Sequence, residues 1–226
     1  MRPKDLIFEH QLLQEKVPFF QKDILYVPNY PKTPAKDLLL EYWAWLNSFD
    51  KIAIEFCSGN GDWIIHKAKM QPEIGWLAVE KKFIRVRKIW SKSHNYKLKN
   101  LSIVYGCGEI FAESYMPLKK VSDVYINFPD PWPKRRHEKN RLVKADFLAH
   151  LEPLMISSGR LFFITDFLPY LQSVIALLLQ APLRWKAQWP EPFYRKDYYP
   201  EYGFSRFGEL WQSKGRNIFC TYFQKT

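Results

Sequence analysis

From residue 50 onward, short apolar runs alternate with longer stretches whose apolar residues recur every three or four positions. Runs at 52–56, 76–79, 101–104, 121–128 and 161–165 predict strands. Trp63, Ile64 and Ala68 share one helical face, and the spacing predicts further helices over 82–94, 143–155 and 168–179. Strand–helix alternation of this kind predicts a mostly parallel sheet with helices on both faces. The tail differs, because 184–189 and 217–223 read as strands at either end of an aromatic loop, which predicts an antiparallel C-terminal addition. Seven strands are therefore expected. Upstream, Thr33-Pro34 reads as a helix start, a hydroxyl N-cap followed by proline, and Leu38, Leu39, Tyr42, Trp45 and Leu46 follow at helical spacing. Residues 1–32, interrupted by Pro18, Pro28 and Pro31, read as an irregular arm before a single domain over 33–226.

Composition narrows the function classes. The chain has 226 residues and a net charge of +11, large enough to suggest an anionic partner such as nucleic acid. No apolar run approaches the roughly 20 residues of a membrane span, and charges interrupt the N-terminal stretch where a signal peptide would be apolar. A cytoplasmic location is expected. Cys57, Cys107 and Cys220 form neither a CxxC pair nor a metal spacing, so neither a disulfide framework nor a metal site is expected.

In a parallel α/β sheet, ligands bind beyond the carboxyl ends of the strands. Here those ends carry Glu55-Phe56-Cys57-Ser58-Gly59-Asn60-Gly61, Glu80, Gly106-Cys107-Gly108, Asn127 to Trp132, and Thr165-Asp166. Gly59 and Gly61 fit a turn that lets backbone approach a ligand closely. A dinucleotide fingerprint would place a third glycine where Ile64 stands, and Glu55 would repel a pyrophosphate. A carboxylate there suits a cationic ligand such as the sulfonium cofactor S-adenosylmethionine. Glu80 can accept both ribose hydroxyls, a role that nicotinamide enzymes share. The competing account of these residues is an ordinary tight turn with solvated strand ends.

The most specific stretch runs from Asn127 through Phe-Pro-Asp-Pro-Trp-Pro-Lys-Arg-Arg-His-Glu-Lys-Asn-Arg to Leu142. Prolines on both sides of Asp130 stiffen the loop, and the residue before a proline avoids the α region. Trp132 offers a flat face, and Lys134, Arg135, Arg136, Lys139 and Arg141 follow with Glu138 the one acid among them. A pinned carboxylate, an aromatic ring and a cationic run are what holding a nucleobase beside its phosphates requires.

At these residues the chain resembles the bacterial tRNA (guanine-N7)-methyltransferase family from about residue 50 to the C-terminus. The family's NFPDPWPK-x-RH segment stands almost intact at Asn127 to His137, and its E-x-G-x-G-x-G loop matches Glu55 to Gly61. The resemblance implies a Rossmann-like methyltransferase fold and methyl transfer from S-adenosylmethionine to N7 of guanine in tRNA, at guanine 46 of the variable loop. It implies that Glu55, Ser58, Gly59, Gly61, Glu80, Cys107 and Asp130 line the cofactor, with Asp130 catalytic. Lys134, Arg136, His137, Lys139 and Arg141 would hold the tRNA. Asp166, Ser205 and Gly208 would lie on the substrate side. Three departures stand out: Cys57 replaces a loop glycine, Cys107-Gly108 replaces Asp-Ala beside the adenine, and Gly208 replaces the glutamate of a T-x-x-E motif that begins at Ser205. The resemblance implies tRNA as the partner and leaves the oligomeric state open between monomer and homodimer.

The helix carrying Lys81, Lys82, Arg85, Arg87, Lys88 and Lys92 is either a solvated surface or a second RNA face. Between Trp185 and Trp211, Trp189, Phe193, Tyr194, Tyr198, Tyr199, Tyr202, Phe204 and Phe207 read as packing against the sheet rather than as base-stacking groups. His66, His94 and His150 lack evident partners, and Cys220 reads as core. Three other functions compete: an amino-methylating enzyme, to whose Asn-Pro-Pro-aromatic loop the segment is loosely similar; an RNA-binding protein without catalysis; and a nicotinamide oxidoreductase.

Overall fold

The computed structural model describes residues 1–8, 17–29, 39–180, 184–197, 202 and 213–226. Readings at Thr33-Pro34, Leu38, Tyr198, Tyr199, Phe204, Ser205, Phe207, Gly208 and Trp211 lie outside the described residues. The chain forms two compact units, Met1–Pro117 and Leu118–Thr226.

In the first unit the sheet order is β1-β2-β5-β4-β3: β1 (Phe19–Gln21), β2 (Ile24–Tyr26), β3 (Lys51–Phe56), β4 (Ile74–Glu80) and β5 (Leu101–Tyr105). β2, β5, β4 and β3 run parallel. Every residue of β4 is buried, as expected for a strand covered on both faces. The helices are α1 (Leu40–Asn47), α2 (Asp62–Met70), α3 (Phe83–Asn95) and α4 (Gly108–Ser114).

The N-terminal region departs from the irregular arm expected of it. β1 and β2 form a hairpin, and β2 extends the parallel sheet along β5. Lys22 and Asp23 both take positive φ, 55° and 61°, the backbone that a two-residue hairpin turn needs to match strand twist. Leu6, Phe8, Phe19, Ile24, Leu25 and Val27 are buried. Gly106 makes room for this addition, because a Cβ there would sit 2.5 Å from the carbonyl oxygen of Val27.

The second unit holds β6 (Val121–Asn127), α5 (Ala145–Leu154), β7 (Met155–Thr165), α6 (Leu168–Leu179), β8 (Trp185–Ala187), β9 (Tyr194–Lys196) and β10 (Phe219–Lys225). β6 and β7 are parallel, with the register shifted so that Val121 faces Met155 but Asp123 faces Arg160. β10 lies antiparallel to β7, and β8 and β9 lie antiparallel to β10. The parallel strands and the antiparallel C-terminal strand agree with the expected class. The strand count does not, since β1, β2 and β9 come in addition. Tyr125, Phe162 and Tyr222 stack across β6, β7 and β10 at centroid separations of 5.0 and 4.3 Å. Trp189 meets Tyr222 edge-on, and Tyr202 is buried near Tyr125, so these tail aromatics do pack against the sheet. Cys220 is buried, as expected. Among the described residues no helix is long and apolar enough to cross a membrane.

Candidate active site

In the first unit β3 delivers Glu55 and β4 delivers Glu80, both almost fully buried at 2% and 4% exposure. The turn after β3 needs three left-handed residues within five positions: Cys57, Gly59 and Gly61 have φ of 63°, 56° and 78°. Two are glycines, for which that backbone carries no steric penalty. Cys57 holds the same left-handed conformation with a side chain, where the family carries a glycine.

Polar bonds fix the turn. The Ser58 hydroxyl donates to the Glu55 carbonyl at 2.9 Å, and the Ser58 N–H donates to the Val79 carbonyl at 3.2 Å. The Gly59 N–H donates to Oε2 of Glu80 and the Lys82 N–H to Oε1, each at 2.9 Å, while Arg85 lies 3.5 Å from Oε2. Each carboxylate oxygen has a second lone pair, so Glu80 keeps acceptor capacity for ribose hydroxyls. Gly61 forms the N-cap of α2, and a Cβ there would approach Cγ1 of Ile89 to 2.7 Å. Cys107 is half-buried at the N-cap of α4 and makes no capping bond with its side chain. Its thiol is a weak donor and acceptor where the family carries a carboxylate. Two buried carboxylates at neighbouring strand ends give this edge a negative character that suits a cationic ligand.

In the second unit β6 ends at buried Asn127, and the chain turns sharply, with positive φ at Phe128 (46°) and Trp132 (43°). Pro129 is buried, Asp130 is exposed, and Trp132 is half-buried against His137 with ring centroids 5.9 Å apart. Lys134, Arg135, Arg136 and Lys139 all face solvent on or beside a 3-10 turn at Arg135–Asn140.

Arg141 departs from its expected place on the RNA backbone. Its side chain is only 8% exposed, Nε donates to the Pro131 carbonyl at 3.0 Å, Nη2 lies 3.3 Å from Glu138, and the guanidinium sits 4.8 Å from the Tyr170 ring centroid. It ties the two ends of the basic loop together.

Asp166 follows β7, and the Phe167 N–H donates to the Thr165 hydroxyl at 3.1 Å. Asp166 pairs with Arg216. Both line a cavity of about 440 Å³ together with Pro131, Pro133, Phe167 and Asn217. Sequence reasoning missed Arg216, a tail cation near Lys214 with no motif around it. The one available signal was Gly215 beside it, which takes φ of 72° and turns the chain into β10.

The basic helix α3 is not a uniform cationic face. Arg85 turns to Glu80, Nε of Arg87 donates to the Pro3 carbonyl at 2.7 Å, and Lys92 bonds Asn60 and Asp62. Lys81, Lys82 and Lys88 remain exposed. His94, expected to lack a partner, packs on Trp90 and lies 3.7 Å from Asp23.

Comparison with known proteins agrees with this chemistry. A family model described as "Putative methyltransferase" matches residues 50–221. A tRNA (guanine-N(7)-)-methyltransferase of Chlamydia caviae is 38% identical, over 93% of this chain and 96% of its own length. That of Chlamydia felis is 39% identical, over 100% of this chain and 98% of its own. Among solved structures, the 16S rRNA methyltransferase KamB superposes with a TM-score of 0.61 at 14% identity, covering 82% of this chain and 93% of that one, a likeness of fold. With relatives this similar along nearly their whole length, the chain belongs to the tRNA (guanine-N7)-methyltransferase family.

Proposed function

We propose that the protein methylates N7 of a guanine in tRNA, at position 46 of the variable loop, using S-adenosylmethionine. The observation that carries this reading is the loop after β6. Asp130 stands exposed between two prolines, immediately before four solvent-facing cations. A tRNA substrate also implies a cytoplasmic location. Residues 33–226 would do the chemistry, and the N-terminal residues, whose strands extend the sheet, would be able to contact RNA.

When bound, S-adenosylmethionine supplies a methyl group activated by the adjacent sulfonium. Glu55 and Glu80 would hold it, Glu80 through the ribose hydroxyls, while Ser58, Gly59 and Gly61 let main chain approach closely and Cys107 lies on the adenine side. Guanine N7 carries a lone pair and no proton, so the attack needs no general base. Orientation then does most of the work, and well-placed reactants can supply about 7–11 kcal/mol. Asp130 would accept hydrogen bonds from guanine N1–H and N2–H₂ and stabilise the positive charge that builds on the purine. Lys134, Arg136, His137 and Lys139 would grip phosphates. Asp166 would face the substrate. The cavity between its carboxylate and the prolines of the loop sets Phe167 and Phe219 beside Asp166, Arg216 and Asn217, a mixed lining that could take a nucleotide.

The test is incubation with labelled S-adenosylmethionine and unmodified tRNA, followed by nucleoside analysis. N7-methylguanosine is the expected product. Asp130→Ala should lower the rate by about a hundredfold or more while cofactor affinity stays put. An equally active Asp130→Ala variant would remove Asp130 from the mechanism.

A further inference from the structure

The turn that follows β3 does not hold its shape alone. Its left-handed backbone at Cys57, Gly59 and Gly61 is braced from outside by α3. Ile89 of α3 lies against Gly61. One helical turn further on, Nζ of Lys92 donates to the Asn60 carbonyl at 2.8 Å and pairs with Oδ1 of Asp62 at 2.6 Å. The ammonium therefore grips the residues on both sides of Gly61. Asp62 opens α2, where a carboxylate is favoured by the helix dipole, so one ion pair joins the start of α2 to the last turn of α3.

We infer that Lys92 is a positioning residue for cofactor binding: it holds the Asn60-Gly61-Asp62 corner so that the turn presents its main chain and keeps the Gly59 N–H on Glu80. The inference rests on the reading that this turn holds S-adenosylmethionine. Lys92 belongs to the basic helix that the sequence offered as a second RNA face, yet its ammonium points into the turn. Its Asp62 partner also offsets a positive charge that would otherwise disfavour a cationic ligand nearby. Loss of the ammonium should loosen the corner and lower cofactor affinity. The chemical step, set elsewhere, should proceed at its usual rate once the site is filled.

Titration calorimetry with S-adenosylmethionine, steady-state kinetics and the salt dependence of tRNA binding test this on the full chain. Because charge-assisted bonds of this kind are worth about tenfold or more, Lys92→Met should raise the cofactor Kd and KM about tenfold, and Lys92→Arg should recover to within about threefold of the natural protein. kcat and the salt slope of tRNA binding should stay as they are. Unchanged cofactor affinity in Lys92→Met overturns the inference, and a lowered salt slope in its place would make Lys92 an RNA cation. If the Met variant fails to fold, Lys92→Gln, which keeps a donor but not the charge, must still bind cofactor more weakly; natural affinity there overturns the inference as well. Failure of the unaltered protein to bind S-adenosylmethionine would instead refute the reading of the turn.

Discussion

Adding one methyl group at Gly61 tests how tightly α3 is fitted to the turn. Gly61 has φ of 78°, and its missing Cβ would lie 2.7 Å from Cγ1 and 3.2 Å from Cγ2 of Ile89, a residue with no exposed surface. Two costs of Gly61→Ala can be separated. The left-handed backbone costs an alanine about 1–2 kcal/mol. Forcing a methyl into a filled core costs about 1–3 kcal/mol more. Lower entropy of the unfolded chain returns about 0.4–1 kcal/mol. The net loss is then about 1–4.6 kcal/mol, and a mid-range value lowers the melting temperature by about 5–12 °C for a chain of this size. Thermal and denaturant unfolding measure it, and a double-mutant cycle separates the parts. Ile89→Ala alone should cost about 2–5 kcal/mol through the cavity it opens. Together with Gly61→Ala it removes the clash, so the double variant should be more stable than the sum of the singles predicts by about 1–3 kcal/mol. The backbone part remains in both backgrounds. Additivity within about 0.5 kcal/mol would show that Gly61 is required for its dihedral alone and that Ile89 gives way freely, refuting the fitted contact.

Two further outcomes follow from where charges and phenols sit. Arg141→Met should cost about 1.5–3 kcal/mol of stability, measured by denaturant unfolding, because a buried charged donor is lost from the Pro131 carbonyl. It should leave the salt slope of tRNA binding alone, whereas Arg136→Gln should leave stability within about 0.5 kcal/mol and lower that slope by about 0.7–0.9; the opposite pattern would return Arg141 to the RNA surface. Burial raises the phenol pKa of both Tyr42 and Tyr125 above the ordinary 10.0, with the nearby Asp123 adding to the effect at Tyr125. A raised folded-state pKa gives stability that is complete below pH 10 and falls above it, by about 1.36 kcal/mol per pH unit for each such group. Tyr42→Phe should flatten that decline by one proton's worth and, below pH 10, cost about 0.5–1.5 kcal/mol for the bond to the Tyr115 carbonyl; an unchanged alkaline slope would refute the assignment.

What the sequence made legible was whatever has a local cause. β3, β4, β5 and β6 are mostly apolar and buried along nearly their whole length because both their faces are covered, and their ends carry the residues that mark a ligand edge. The hairpin of β1 and β2 was invisible because each strand has three residues and its turn, Lys22-Asp23, lacks the glycine or asparagine that signals such turns. The first half of β7 fell outside the expected strands because Ser157, Ser158 and Gly159 interrupt the apolar run; pairing with β6 resumes at Arg160, which meets Asp123 in an ion pair. Arg216 joins Asp166 across fifty positions of chain, and no local pattern encodes such a meeting.

The same limit governs the cations, and it changes what the net charge means. A lysine or arginine in a basic run looks like surface, yet its fate depends on which carbonyl or carboxylate the fold brings to it. Arg85, Arg87, Lys92, Arg141, Arg160 and Lys225 each find one inside the protein. Their charge contributes to +11 but little to gripping a polyanion. Lys134, Arg135, Arg136 and Lys139 keep their heads in solvent on one short turn beside Asp130. If all four meet phosphates, tRNA affinity should fall by about 50- to 150-fold between 50 and 200 mM salt, far less than a net charge of +11 would suggest. A modest salt dependence with a steep requirement for Asp130 is what a site that orients one base needs, because catalysis by orientation asks for a base held in place rather than a polymer held fast.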